Sequence, residues 1–539
     1  MRIKALAVAL FVNVVFLGCG GGGGGGDPTP GRSYGFTVTV SGLEARANVF
    51  NGINNLQIDG DGTFTFKERI AHGARYNVSV GSAEPWSPSA IVRCTAGAAA
   101  MGTATADVSV PITCTSIAVF SAADGDGDQE LWATDGSRAW RVADINPGGS
   151  SDPHGMTTYG GWVYFSANDG VHGFEPWRTD GETAVLVRDL APYAGYHSYP
   201  SEFVFFWGEL YFSAYDPYGS HRRLWKTDGT RDGTVPVMEG DELVDPQHLR
   251  VIGEGLEQEL YFAADGAEGV ELWKTDGTER GTVRVADICP GTCSSNPSGF
   301  TALGRWTYFG AWDEAGAAIW RTDGTTTARV GASSIDGFPG PPLTKLGDEL
   351  YYWADDGARL WKTDGTAEGT RLVTSPDAPE GFPSATRLGV LDETLFFQTI
   401  DETGLSVWKL AAGETAPVLV KSGLLEEPYT CYTTRLPFTP YRGEVYFKAT
   451  DGTHGCELWK SDGTEGGTTL LADLHPEGHA AAWDLTIVNG RLLFGARATG
   501  ALSEPGVRLW ATDGSAAGTS VVSEAEFCGF SGGGVSGDC

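Results

Sequence analysis

Along most of this chain, apolar and polar residues alternate over short runs. That is the period of a strand with one buried face. Phe36-Thr-Val-Thr-Val40, Thr63-Phe-Thr-Phe66, Tyr76-Asn-Val-Ser-Val80 and Ala106-Asp-Val-Ser-Val-Pro-Ile112 each alternate, and turns such as Asp59-Gly-Asp-Gly62 separate them. This spacing predicts a small antiparallel β-sandwich over residues 32–115.

From residue 116 the short runs themselves recur. An aromatic string comes first: Val163-Tyr-Phe-Ser-Ala167, Leu210-Tyr-Phe-Ser-Ala214, Leu260-Tyr-Phe-Ala-Ala264, Val445-Tyr-Phe-Lys-Ala449. A tryptophan string follows, as in Glu271-Leu-Trp-Lys-Thr-Asp-Gly-Thr278, then Gly-Thr and a β-branched run such as Gly281-Thr-Val-Arg-Val285. The anchoring residues are Trp132, Trp177, Trp225, Trp273, Trp320, Trp361, Trp408, Trp459 and Trp510, and the unit around Trp408 lacks the Asp-Gly. With one further short strand, each repeat of roughly 47 residues holds four strands, the signature of a propeller blade. The Tyr-Phe strand is expected to be central, with the Trp strand beside it and its ring packed between blades. Thr-Asp-Gly-Thr reads as a hairpin in which Asp caps the turn and Gly supplies a positive φ. The expected fold is all-β: a β-propeller of eight or nine four-stranded blades over residues 116–527, preceded by the sandwich. Two smaller propellers, or an open array, are the alternatives. The first unit has no leading strand of its own, and a C-terminal strand around Glu526-Phe-Cys-Gly529 is placed to supply it and close the ring.

These strings match the bacterial repeat known by its ELWxxDGT consensus, and the resemblance spans residues 116 to about 522. It implies a propeller-like body in an exported or surface protein and no established activity. The segment before it resembles, loosely, the immunoglobulin-like modules that follow the tether in bacterial lipoproteins.

The N-terminus reads as a processing segment. Arg2 and Lys4 precede an apolar run, Ala5–Leu17, too short to span a bilayer. Phe16-Leu-Gly-Cys19 resembles the bacterial lipobox, with Phe16 where Leu is usual. The resemblance implies cleavage after residue 18, lipidation of Cys19 and, because no Asp follows the Cys, outer-membrane sorting. Residues 19–31 are then a Gly-rich tether, with seven consecutive glycines from Gly20 to Gly26. Of the 9 cysteines, removal of Cys19 leaves an even set. Local pairing gives Cys94/Cys114, Cys289/Cys293, Cys431/Cys456 and Cys528/Cys539 as disulfide candidates, as expected in an oxidising compartment.

Charge and composition narrow the partners. The formal net charge is −32, which argues against nucleic acid. The 77 glycines argue against long helices and are absorbed by the tether and the repeat turns. No catalytic constellation assembles. There is no His-Glu-x-x-His, and Gly529-Phe-Ser-Gly-Gly533 has no room after it for the helix of a nucleophile elbow. One acidic loop, Asp124-Gly-Asp126-Gly-Asp128-Gln-Glu130, sets four carboxylates at alternate positions, a pattern suited to Ca²⁺, although an EF-hand register fails. A solvated hairpin is the plainer reading. Tyr193, Tyr196, Tyr199, Phe338, Phe382 and Tyr429 fall in blade-to-blade loops, where aromatic residues serve recognition or simply pack the loop. The expected function is a monomeric, surface-anchored binding or scaffold module for glycan or protein, held to the membrane by its N-terminal lipid. A glycan hydrolase or lyase, and a purely adhesive element, are the rivals. Residues 528–539 read as a Gly-rich tail.

Overall fold

In the computed structural model the described residues are 32–51, 54–81, 83–85, 87–123, 127–193, 195–218, 220–238, 243–253, 258–330, 343–354, 359–373, 388–401, 404–424, 438–476, 478–497 and 506–530. Cys19, Phe338, Phe382, Tyr429, Cys431 and Cys539 lie outside them, as do Asp124 and Asp126 of the acidic loop. No helix among the described residues is long and apolar enough to cross a membrane.

The sandwich forms as its alternation requires. One sheet carries Gly62–Thr65, Phe36–Ser41, Val108–Ala123 and Ala90–Ala96, and the other carries Met101–Thr103, Arg75–Val80, Ala45–Asn51 and Asn54–Ile58. Their inner faces share one core, including Phe36, Val38, Val49, Ile58, Val110 and Ile112. Cys94 and Cys114 face each other across neighbouring strands and are disulfide-bonded.

Strand Val108–Ala123 does not stop at residue 115. Its first half pairs with Phe36–Ser41 and Ala90–Ala96, and its second half pairs with Gln129–Thr134 of the repeat body. Sandwich and propeller therefore share one continuous strand, and the boundary expected at 115/116 falls inside it.

Among the described residues the repeat body has nine blades. Seven are separate four-stranded sheets, and two more are fused into one larger sheet by the chain ends. Numbered along the chain, blade 1 holds the second half of Val108–Ala123 with Gln129–Thr134 and Ala139–Ala143, and blade 2 runs His154–Tyr159, Trp162–Asn168, Phe174–Thr179, Ala184–Leu186, from the inner to the outer strand; the strands of blades 3 to 8 fall within residues 201–236, 244–286, 298–329, 344–372, 389–424 and 439–470. Blade 9 is Trp483–Val488, Arg491–Arg497, Val507–Thr512 and the start of Ser520–Gly529. The end of that last strand crosses to blade 1, pairing Ala122 with Phe527 and Ala123 with Glu526. The C-terminus thus supplies the missing inner strand of blade 1, as the sequence suggested. The strand runs through Gly529, and Phe530 is buried against Phe120 and Phe527, so the tail boundary expected at 527/528 also falls inside an element.

Each repeat Trp lies opposite an aromatic residue on the neighbouring strand of its own blade. Phe120 faces Trp132, Phe165 faces Trp177, Phe212 faces Trp225, and Phe494 faces Trp510. Hydrophobic clusters then bridge neighbours: Val119, Leu131 and Ala133 of blade 1 pack with Met156, Val163 and Phe165 of blade 2.

The Thr-Asp-Gly turns lock the blades in sequence. In blade 3, Asp228 Oδ1 accepts the Thr230 amide at 2.8 Å and its hydroxyl at 2.7 Å, while the Thr227 hydroxyl accepts the Gly229 amide at 2.9 Å. Gly277 has a φ of 84°, and any side chain there would collide with the Tyr211 hydroxyl of the preceding blade. The same contact joins Gly229 to Tyr164, Gly324 to Tyr261 and Gly514 to Tyr446. At the closure, Gly136 of blade 1 abuts Val488 and Leu493 of blade 9, and Arg491 donates to the Gly136 carbonyl at 3.0 Å. The chain of contacts comes back to its start, which makes the nine blades a closed ring.

Candidate ligand-binding face

The two faces of the ring are built differently. On one, which we call the turn face, lie the Thr-Asp-Gly hairpins and the turns joining inner to second strands. The sandwich docks here. Asn489 of blade 9 accepts the Ser116 amide at 2.6 Å and donates to the Ser116 and Asp135 carbonyls, and Arg93 donates to the Asp180 carbonyl of blade 2 at 2.7 Å. A cleft of about 700 Å³ opens at this junction, lined in part by Asp135, Arg138, Trp140, Glu182 and Arg491.

The opposite, loop face carries the hairpins between second and third strands and the blade-to-blade loops. Here a device appears that the sequence reading missed. Glu130, Glu175, Glu271 and Glu457, which precede the hydrophobic-Trp pair in their blades, are fully buried. Each carboxylate reaches forward to bolt the loop leading to the next blade. Glu175 accepts the Leu190 amide at 2.8 Å, the Ser198 amide at 3.2 Å and the Ser198 hydroxyl at 2.8 Å. Glu271 takes the amides of Ile288, Cys289 and Ser295 and the Ser295 hydroxyl. Glu457 takes the Leu474 and Ala480 amides. Burial raises all four carboxyls above the usual range, taking Glu175 and Glu457 to about 7, with Asp189 and Asp473 adding like-charge repulsion.

The signal was present. Only these four units carry Glu at that position, and only they continue into Asp-Ile/Leu-x-Pro: Asp144, Asp189, Asp287 and Asp473 begin those loops. The units with Arg223, Ala318, Arg359, Ser406 or Arg508 there lack that string.

Glu130 belongs to this device, which corrects the calcium expectation for that residue. Its carboxylate holds the Ile145 amide at 2.8 Å, the Asn146 amide at 3.3 Å and the Ser151 hydroxyl at 2.7 Å, so it is turned inward and spent. Asp128 is half-buried in the same loop. Among the described residues, no three His, Cys, Asp or Glu side chains are grouped to hold a metal ion.

Cys289 and Cys293 are disulfide-bonded within the blade 4 loop. Cys456 and Cys528 are also disulfide-bonded.

The blade 2 loop differs from the other bolted loops in what it carries. Asp144 to Ser151 and Asp473 to Ala480 contain no tyrosine, whereas the longer Asp189 to Ser198 loop carries Tyr193 and Tyr196. Tyr193 stacks on Tyr218 of the blade 3 hairpin, with ring centroids 5.5 Å apart and planes 21° off parallel. Tyr196 stands edge-on to Tyr193 at 6.4 Å. Tyr199 stacks on Phe174 at 5.1 Å and packs beside His197.

Fixed backbone holds these rings. Gly173, at a φ of 80°, lets the blade 2 hairpin press against the Tyr196 carbonyl and the His197 ring. His197 Nδ1 accepts the Phe174 amide at 3.0 Å. Asp216 Oδ1 accepts the Tyr218 and Ser220 amides at 3.0 and 3.1 Å. Arg222 donates to the Tyr199 carbonyl at 2.8 Å and lies 5.1 Å over the Tyr215 ring. Beside them Asp169 holds His172 at 2.7 Å, a pairing that raises the imidazole above its ordinary range and recurs as Asp451–His454 in blade 8.

No protein-family model matches the chain, and no curated protein does either. Among solved structures, it is similar to the crystal structure of puromycin hydrolase at 13% identity and a TM-score of 0.36, covering 62% of this chain and 55% of that one. It is similar to the Niastella koreensis GH74 enzyme at 14% identity and a TM-score of 0.36, covering 69% and 67%. A chain of the nidogen/laminin complex matches at 12% identity and a TM-score of 0.26, covering 48% and 96%. This chain spans little more than half the length of the first of these. At such scores none of them bears on the chemistry, and the fold rests on the strand pairing above.

Proposed function

We propose that this protein is an exported, lipid-anchored bacterial surface protein that acts as a non-catalytic binding module for a glycan or a protein. The observation that carries the reading is the opposition of its two faces. The sandwich, and with it the N-terminal end of the described chain, docks on the turn face, while the exposed tyrosines lie on the loop face. A lipid on Cys19, with a flexible tether, would set the loop face toward the surroundings of the cell. The disulfides support export into an oxidising compartment.

Feeding cells labelled palmitate tests the anchor. The wild type is expected to carry label and sediment with membranes, and Cys19→Ala to lose both. Unlabelled wild-type protein in the soluble fraction would sink the anchor. Incubating the purified chain with any ligand it binds tests the second half, and accumulation of cleaved product would replace the binding module with an enzyme.

A further inference from the structure

We infer that Tyr193, Tyr196 and Tyr218 form a binding platform for a neutral glycan, which stacks the apolar faces of its sugar rings on theirs. The inference rests on the reading of this protein as a binding module and names its ligand class and site.

The rings are free to be used. Tyr193 is 48% exposed, Tyr196 44%, Tyr199 41% and Tyr218 66%. An exposed tyrosine offers a broad apolar face with a hydroxyl at its rim, which matches a pyranose: C–H groups on the ring face and hydroxyls around the edge. Tyr218 stacks on Tyr193, Tyr196 stands upright beside them, and each keeps close to half or more of its surface open.

The platform is preorganised, so little ordering entropy is lost on binding. Glu175 clamps both ends of the loop bearing Tyr193 and Tyr196. Asp216 fixes the hairpin bearing Tyr218. A loop that served only to join two blades would need no tyrosines, and the blade 1 and blade 8 loops, bolted by Glu130 and Glu457, have none.

Size and charge select the ligand. The three platform rings together offer about one and a half tyrosines of free surface, roughly 240–400 Å² at about 150–250 Å² each. A stable protein partner needs about 800 Å² per side, whereas two or three sugar rings fit. A net charge of −32 repels polyanions, which disfavours uronic or sulfated glycans and stacked nucleic-acid bases alike.

The test uses the full chain and isothermal titration with cellohexaose, chitohexaose, xylohexaose and laminarihexaose, against polygalacturonate and heparin as anionic controls. At least one neutral oligomer is expected to bind, and neither anion. Tyr193→Ala and Tyr218→Ala should each weaken that binding about tenfold, the loss of one stacking contact. Tyr218→Phe, which keeps the face and drops the hydroxyl, should stay within about threefold of the wild type. Both side chains are exposed, so unchanged thermal melts are expected to accompany the losses. The inference is overturned if no neutral oligomer binds, or if binding survives in the Tyr193→Ala/Tyr218→Ala double variant. Capture of a protein ligand that the double variant loses would refute the glycan class while leaving the binding-module reading intact. Release of shorter oligomers would refute the module reading itself.

Discussion

The turn face and the loop face of this propeller use carboxylates in opposite ways. On the turn face, aspartates such as Asp228, Asp276 and Asp364 are exposed and cap their own hairpins, and amide and hydroxyl donors hold Asp228 and Asp364 below the usual carboxylate range. On the loop face, glutamates such as Glu175 and Glu457 are buried, reach into the next connection, and are raised to about 7. The first arrangement repeats a local turn. The second lets one blade hold a loop whose content is free to vary. The repeat can therefore stay constant where blades must fit together and change where a ligand is met.

Titration should separate the two faces. A carboxyl whose folded pKa lies above its unfolded one favours the folded state when protonated. Its stabilisation is whole below about pH 4.5 and is lost as pH rises through 7. Glu175 and Glu457 should each remove about 2–3 kcal/mol of stability between pH 5 and pH 8. His172 and His454, raised by their aspartates, act in the same direction. The turn aspartates act in the other sense and lower down, their contribution present above about 3.8 and lost as pH falls toward 2, where Asp323 lies. Denaturation across pH 5–8 should therefore show stability falling as pH rises. Glu175→Gln/Glu457→Gln should flatten most of that slope, since the carboxamide does not ionise; its one oxygen keeps one of the two loop amides, so the variant starts from a lower stability. An unchanged slope in the double variant would remove the glutamates from this account.

The next largest effect lies on the turn face. Gly277 and Gly413 have nearly the same φ, 84° and 81°, but Gly277 abuts the Tyr211 hydroxyl and Gly413 meets nothing within 4 Å. Gly413→Ala should cost about 1 kcal/mol, the backbone strain alone. Gly277→Ala adds a collision with a buried ring and should cost about 3 kcal/mol. Equal midpoints for the two variants in chemical denaturation would mean that the turns do not lock the blades.

Much of the turn face was legible in the sequence. Nine tryptophans at near-constant spacing fix which strands pair, and Asp-Gly at a constant offset fixes the hairpin. Even the closing strand at Glu526–Gly529 followed from a first unit that lacked a leading strand. The loop face was harder to read, because its contacts join residues that no local period relates. Glu130 sat in an acidic string and resembled its neighbours Asp124–Asp128 until its partners, Ile145 and Ser151, were seen across the loop. Tyr193 and Tyr218 come from different blades, and nothing in either segment announces the other. The continuous strand through residue 115 was hidden for a related reason: burial alternates from Val108 to Ala118, but the apolar–polar pattern breaks at Thr115-Ser116-Ile117.

The smallest effect concerns the cap itself. Asp228 accepts two bonds from Thr230 in an exposed hairpin, where water stands ready to replace them. Asp228→Ala should therefore cost only about 1 kcal/mol, and Asp228→Asn, which keeps the accepting oxygen, less than about 0.5 kcal/mol. Blade 7 supports the low figure, since Gly404–Ala411 and Val418–Leu424 pair without any Thr-Asp-Gly between them. The turn's strict requirement is then the glycine that meets the neighbouring tyrosine, and the aspartate contributes a modest local preference for the hairpin. A loss near 3 kcal/mol in Asp228→Ala, read from the denaturation midpoint, would reverse that ranking and make the cap, rather than the interblade contact, the reason the string recurs.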